Sequence, residues 1–198
     1  MKQIKLITLG NSKVGKSSYI LRYTDNEFTF HMSTTVGIDF KEKIETLDNN
    51  QKIKLILYDT NGQERYKSIS YNMLKNADAV LLFYDITDKS SFESIKDWIH
   101  SIYEFKNKDF PIVLIGNKID KEEERVITKN EGESEALKYN IKHFEISCKD
   151  SINIREPILH LISIANSGDK EGNIKLNHKS KNKKDKKSAA NNKINILK

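Results

Sequence analysis

The sequence predicts a three-layer α/β domain: a six-stranded, mostly parallel sheet with one antiparallel edge strand, flanked by helices. Three observations predict it. Residues 10–17 read G-x-x-x-x-G-K-S, directly after the apolar run at 4–9 and directly before a helical pattern. Strand-like and helix-like patterns alternate along the first 165 or so residues. Two runs, 77–84 (ADAVLLFY) and 111–116 (PIVLIG), are almost wholly apolar, as strands covered on both faces are.

Each element follows in order. The first strand ends at Leu9, and a helix from about Lys16 to Tyr23 sets Tyr19, Ile20 and Tyr23 on one side. Residues 25–35 are polar and read as a loop. Strands at about 37–47 and 51–59 flank the turn signal Leu47-Asp48-Asn49-Asn50, which makes them a hairpin. After the strand 77–84, a helix over about 91–106 puts Phe92, Ile95, Ile99, Ile102 and Tyr103 on one face. The strand 111–116, a helix at 130–139, a short strand at 143–147 and a helix at 152–165 complete the set. In such a sheet the ligand is expected at the carboxyl ends of the strands.

The chain has 198 residues, enough for one domain plus a tail. Its single cysteine, Cys148, excludes an internal disulfide and suggests a reducing compartment. No apolar run approaches the length of a membrane span. The first strand begins so early that no room for a signal peptide is expected. These features point to a cytoplasmic protein. The net charge of +6 is uneven: residues 173–198 hold nine of the 34 basic residues and one of the 28 acidic ones, so the rest carries −2. The expected division is a folded domain over 1–166 and a disordered Lys/Asn-rich tail over 167–198, a composition too polar to offset the entropy of ordering it.

The loop Gly10-Asn11-Ser12-Lys13-Val14-Gly15 between strand and helix is the arrangement a triphosphate cradle needs. Backbone N–H groups of Gly10, Ser12, Lys13, Val14 and Gly15 face the phosphates, and the helix presents its positive end to them through Lys16, Ser17 and Ser18. Lys16 places a charge on the β- and γ-phosphates, and Ser17 offers a hydroxyl to Mg²⁺. Four further segments specify the nucleotide. Asp59, closing the strand 51–59, can hold Mg²⁺ through water, Gly62 N–H can reach the γ-phosphate, and Gln63 can orient an attacking water. Thr35, in the polar loop, can add its hydroxyl to the metal. In Asn117-Lys118-Ile119-Asp120, after the strand 111–116, the carboxylate of Asp120 accepts from guanine N1–H and the 2-amino group, donors that adenine does not offer. Ser147-Cys148-Lys149 can bring a backbone N–H to the guanine oxygen, and Phe28 can stack against the base. Singly, D-x-x-G is often a turn, N-K-x-D a solvated loop, Phe28 a core aromatic and Ser147 a cap. Together, each at a strand end and in one order, they exclude coincidence, and the guanine set excludes a P-loop kinase or ATPase.

At this point the chain resembles the Rab family of Ras-superfamily small GTPases over roughly residues 3–165. The segments that carry the resemblance are Thr35-Val36-Gly37-Ile38-Asp39-Phe40, Lys54-Leu55 leading to Asp59, Gln63-Glu64-Arg65-Tyr66 and Phe83-Tyr84-Asp85-Ile86-Thr87. The 27-residue step from Asp120 to Ser147 leaves no room for the extra helix of Rho proteins. The resemblance implies the P-loop NTPase fold, with GTP or GDP and Mg²⁺ as ligands and Gln63, Lys16 and Thr35 as the catalytic set. It implies a switch closing over residues 28–40 and 59–75. It also implies a monomer, vesicle traffic, and as partners a guanine exchange factor, a GTPase-activating protein and effectors.

The chain departs from that pattern in several places. Asn61 replaces the usual alanine beside Gly62, and Lys13 a small residue. The expected aromatic triad reads Phe40, Tyr58 and Met73, and Met32 stands where a tyrosine often covers the phosphates. The tail ends Asn195-Ile196-Leu197-Lys198 without a cysteine for prenylation. Without a lipid, the tail lysines would offer weak electrostatic contact with an anionic membrane, about 1 kcal/mol each near the surface, although a charge run is usually solvated. The tail has no aromatic residue to stack on bases, so nucleic acid is not expected. Two readings follow: a slow GTP-hydrolysing switch, or a scaffold that holds nucleotide without hydrolysing it.

Overall fold

A computed structural model describes residues 1–30, 38–60 and 73–165. By internal contacts the chain divides into two units, Met1–Leu161 and Ile162–Lys198. Of the second, residues 162–165 are described, and they are helical.

The first unit is built on six strands in the order β2-β3-β1-β4-β5-β6. These are β1 (Lys2–Leu9), β2 (Ile38–Thr46), β3 (Lys52–Thr60), β4 (Ala79–Asp85), β5 (Ile112–Asn117) and β6 (Lys142–Ile146). Only the β2–β3 pair is antiparallel, and it forms the expected hairpin. Its turn closes with Asn50 N–H donating to the Leu47 carbonyl at 2.9 Å. All other pairs are parallel. Because β1 has β3 on one side and β4 on the other, the strand order reverses at its carboxyl end, where open α/β sheets bind ligands.

Among the described residues, helices include α1 (Lys16–Asp25), α2 (Lys89–Glu93), α3 (Ile95–Phe105) and α4 (Lys129–Lys138), with a 3₁₀ helix at Ile119–Glu124 and further helical residues at 73–76 and 156–165. Every residue of β4 and β5 is buried, as their continuous apolar runs require. On one sheet face, Ile7, Leu9, Val80, Leu82 and Tyr84 pack with Ile95, Trp98, Ile99 and Ile102 of α3. Phe92 and Tyr103 border this cluster, half-buried. Elsewhere in the core, Tyr19 of α1 meets Phe83 edge-on at 5.2 Å.

Three local features differ from the sequence-based expectation. The helix expected over 91–106 is two helices, α2 and α3, divided at Ser94. Ser94 Oγ donates to the Ser90 carbonyl at 2.8 Å, the back-bonding that bends helices. The helix expected from 152 begins at 156 instead. Ile152 is held in a bridge to Ser147, and Ser151 and Asn153 have φ of 57° and 55°, so the chain turns before it coils. The 3₁₀ helix has no apolar period to announce it, and none of its residues is buried.

Candidate functional site

The phosphate loop leaves β1 at Leu9 and enters α1 at Lys16. Gly10 and Gly15 have φ of 130° and 99°, a region that glycine enters without steric cost. Space requires glycine there as well. A Cβ on Gly10 would lie 2.3 Å from the Phe83 carbonyl oxygen, and one on Gly15 would lie 2.1 Å from Asn117 Nδ2. Lys13 also has a positive φ, 66°, and its side chain is exposed. Val14 is buried, whereas Ser12 and the first-turn residues Ser17 and Ser18 are half-buried.

Lys16 is 5% exposed. Its Nζ donates to the carbonyls of Gly10 at 3.0 Å and Asn11 at 2.8 Å. Burial lowers its pKa to about 8, opposed by the negative charge of Asp59. Asp59 stands near the end of β3 and is itself buried. One of its oxygens, Oδ1, is buried and accepts no hydrogen bond among the described residues, while the carboxylate acts on Lys16 by charge. Thr60 Oγ1 donates to the Thr8 carbonyl at 2.6 Å and so fixes the end of β3 against β1.

The base-recognition loops form at the ends of β5 and β6. Asn117 is fully buried, and its Nδ2 donates to the Val14 carbonyl at 2.9 Å. Its Oδ1 accepts from Cys148 N–H at a long 3.4 Å. Lys118 adopts φ 75° and pairs with Asp85 at 2.5 Å. Asp120 and Ser147 meet directly, with Ser147 Oγ donating to Asp120 Oδ1 at 2.7 Å. Ser147 is buried, and its Oγ also accepts from Asp150 N–H. Cys148 is buried too, which pushes its thiol up to about 12. Lys149 is exposed, and the guanidinium of Arg22 holds the Cys148 and Lys149 carbonyls at 2.8 and 3.1 Å. The same guanidinium lies 5.9 Å over the half-buried ring of Phe28.

The structure thus brings Lys16 and Asp59 together in one place, and Asn117, Asp120, Ser147 and Cys148 in another, joined by the Asn117–Val14 bond. Thr35, Asn61, Gly62 and Gln63 lie outside the described residues. Three contributors carry no assigned role in the sequence reading. Asp85 holds Lys118 while accepting from Thr87 N–H and Oγ1 at 2.9 and 2.8 Å. Its signal was the Asp-x-Thr turn at a strand end. Arg22 and Asn11 have no local signal: Arg22 reaches the Lys149 carbonyl 127 residues on, and Asn11 Oδ1 accepts from Trp98 Nε1, 87 residues on.

The residues of this site fit a magnesium–nucleotide complex. The loop packs so closely on its neighbours that a Cβ at either glycine would meet the Phe83 carbonyl or the Asn117 amide, so only bare backbone fits around a phosphate there. Its flanking donors, a hydroxyl at Ser17 and a carboxylate at Asp59, are the hard oxygens that Mg²⁺ prefers.

Residues 5–167 match the family model described as Ras: Ras family. Ras-related protein Rab-3C of Bos taurus is 41% identical over 160 residues, which cover 81% of this chain and 70% of the relative. Ras-related protein Rab-3A of Homo sapiens is 39% identical, covering 81% and 72%. EF-hand calcium-binding domain-containing protein 4B of Homo sapiens is 38% identical over 182 residues, or 90% of this chain. The chain spans 25% of that protein's length.

Proposed function

The chain belongs to the Ras family, a GTP-binding, Rab-like small GTPase, and on that premise we propose that it is a slow GTP-hydrolysing switch in membrane traffic. The observation that carries this reading is the junction of two loops. Asn117 ties the phosphate loop to the guanine loop, so base recognition and phosphate binding form one site. Asp120, aimed by Ser147, accepts from guanine N1–H and the 2-amino group. The Cys148 N–H, whose bond to Asn117 Oδ1 is long at 3.4 Å, is a donor that a base oxygen can take in place of that acceptor.

Bound Mg²⁺ would supply neutralisation of phosphate charge. Ser17, Asp59 and Thr35 would hold it. Lys16 keeps its ammonium beside the transferring phosphate, and Gln63 orients the attacking water. Gly62 N–H binds the γ-phosphate, and Phe28 covers the base. With no arginine finger proposed in the chain, unassisted turnover is on the order of 10⁻⁴ to 10⁻³ s⁻¹, to be raised by an activating protein.

Partners of three kinds are proposed at the two switch segments, 28–40 and 59–75: exchange factors, activating proteins and effectors. Supporting an effector face, Phe40 and Ile44 are 58% and 55% exposed, and Phe40 lies 6.3 Å from the Tyr58 ring. No helix among the described residues is long and apolar enough to cross a membrane. A cytoplasmic location with peripheral membrane contact is proposed from the Rab-like family match. The test is to load the purified chain with GTP and Mg²⁺ and follow bound GTP over hours. Conversion to GDP that Gln63→Leu abolishes supports the switch. GTP that stays intact in the wild type overturns hydrolysis and favours a scaffold.

A further inference from the structure

We propose that Asn11 is a positioning residue, clamped to α3 by Trp98 and Ser94, and that this clamp sets how long a nucleotide stays bound. The proposal rests on the nucleotide-binding reading of the loop. Asn11 makes three hydrogen bonds that point two ways. Outward, its Oδ1 accepts from Trp98 Nε1 at 2.9 Å and its Nδ2 donates to Ser94 Oγ at 3.0 Å. Inward, its carbonyl receives Lys16 Nζ at 2.8 Å. The ammonium that must face the phosphates is therefore positioned by a residue whose side chain is fastened to a helix.

The orientation of the amide is set by chemistry. An indole N–H only donates, so the amide oxygen must face Trp98 and the NH₂ group must face Ser94. The anchor is rigid on both counts. Trp98 is 5% exposed and packs in the core with Ile95 and Ile99. Ser94 Oγ gives its own proton to the Ser90 carbonyl at the break between α2 and α3, which leaves its lone pairs for Asn11.

The loop needs such an anchor. Gly10, Lys13 and Gly15 all have positive φ, so its backbone follows no regular path that secondary structure would enforce. It is tied from two sides: Val14 to Asn117 on β5, and Asn11 to α3. The second tie holds the half of the loop that carries the Gly10 and Asn11 carbonyls, both of which accept from Lys16 Nζ.

The test uses the full chain loaded with a fluorescent GDP analogue, its release followed in excess GDP and Mg²⁺. Asn11→Ala should release about ten-fold faster, the effect of losing side-chain bonds to a buried anchor. Asn11→Asp should restore slow release in part, because a carboxylate still accepts from the indole while losing the donor to Ser94. Ser94→Ala and Trp98→Phe should each speed release and should be non-additive with Asn11→Ala. Trp98 is the only tryptophan, so its emission reports the clamp directly and should shift in Asn11→Ala even without nucleotide. Release at the wild-type rate in Asn11→Ala overturns the proposal, as do additive effects or failure of Asn11→Asp to rescue. If the wild type binds no nucleotide, the functional reading fails; the clamp then stands or falls on whether Trp98 emission in unloaded Asn11→Ala differs from wild type.

Discussion

Asn117 Nδ2 donates to the Val14 carbonyl at 2.9 Å, so the residue that opens the base-recognition loop also holds the phosphate loop. The two loops are 103 residues apart in sequence and share one buried amide. Replacing Asn117 with Ala leaves the buried Val14 carbonyl without its donor, at a cost of about 1–3 kcal/mol. Urea unfolding of the nucleotide-free protein should show that loss, and nucleotide release should accelerate in parallel.

Gly15 is the steric counterpart of that bond. A Cβ there would sit 2.1 Å from Asn117 Nδ2, on a backbone with φ 99°. Gly15→Ala is expected to displace the Asn117 side chain and abolish nucleotide retention on gel filtration, with a far smaller change in far-UV circular dichroism. Retention of bound nucleotide by Gly15→Ala would show that the two loops are not coupled as described.

Asp120 should decide which base binds. Its carboxylate accepts two donors from guanine, whereas an amide in its place offers one donor and one acceptor. Asp120→Asn is therefore expected to lose GDP affinity and gain affinity for xanthosine diphosphate, whose ring has a carbonyl in place of the 2-amino group. Competition binding reads the exchange. Ser147→Ala removes the 2.7 Å bond that aims the carboxylate and should weaken GDP binding without changing base preference.

Lys16 makes binding depend on pH in a defined direction. Burial holds its pKa near 8 in the nucleotide-free chain, against 10.5 for an ordinary lysine. Between those values the folded protein has lost a proton that the unfolded chain keeps, so stability of the nucleotide-free form should rise with pH across that window. Phosphate charge favours the ammonium, so nucleotide binding at about pH 9 should take up close to one proton, and binding at about pH 7 almost none. Calorimetry in buffers of different ionisation enthalpy measures the uptake.

Gly132 tests the packing behind the guanine loop. It lies in α4, where alanine would ordinarily be favoured by about 1 kcal/mol. A Cβ there would lie 2.4 Å from the Tyr84 hydroxyl and 2.6 Å from His143 Nε2, and those two groups are bonded at 3.0 Å. Gly132→Ala should therefore destabilise by about 1–3 kcal/mol, read as a lower urea midpoint.

Most of the fold was legible because its strongest signals are periodic or continuous. The apolar run of β4 and the turn at Leu47–Asn50 place strands on their own. The break at Ser94 was not legible, because it depends on a side chain bonding its own helix and on Asn11 arriving from the phosphate loop. The same distinction holds in the site. Lys16, Asp59, Asn117 and Asp120 sit in short motifs at strand ends, where local spacing carries the chemistry. Arg22 and Asn11 act through partners that only the folded sheet brings near, and so does Asp85 toward Lys118, although its turn with Thr87 is local. Ser147 was legible as a strand-end residue, but its bond to Asp120 across 27 residues was not.

The central claim is a site built for guanine nucleotide. The most direct measurement is displacement of a fluorescent GDP analogue from the Mg²⁺-loaded full chain by GDP, GTP, ADP and ATP. The account predicts displacement by GDP and GTP with no displacement by ADP or ATP at a thousand-fold excess, because Asp120 would be left facing a base without its two donors. Equal displacement by ATP, or no binding of the GDP analogue at all, would contradict it.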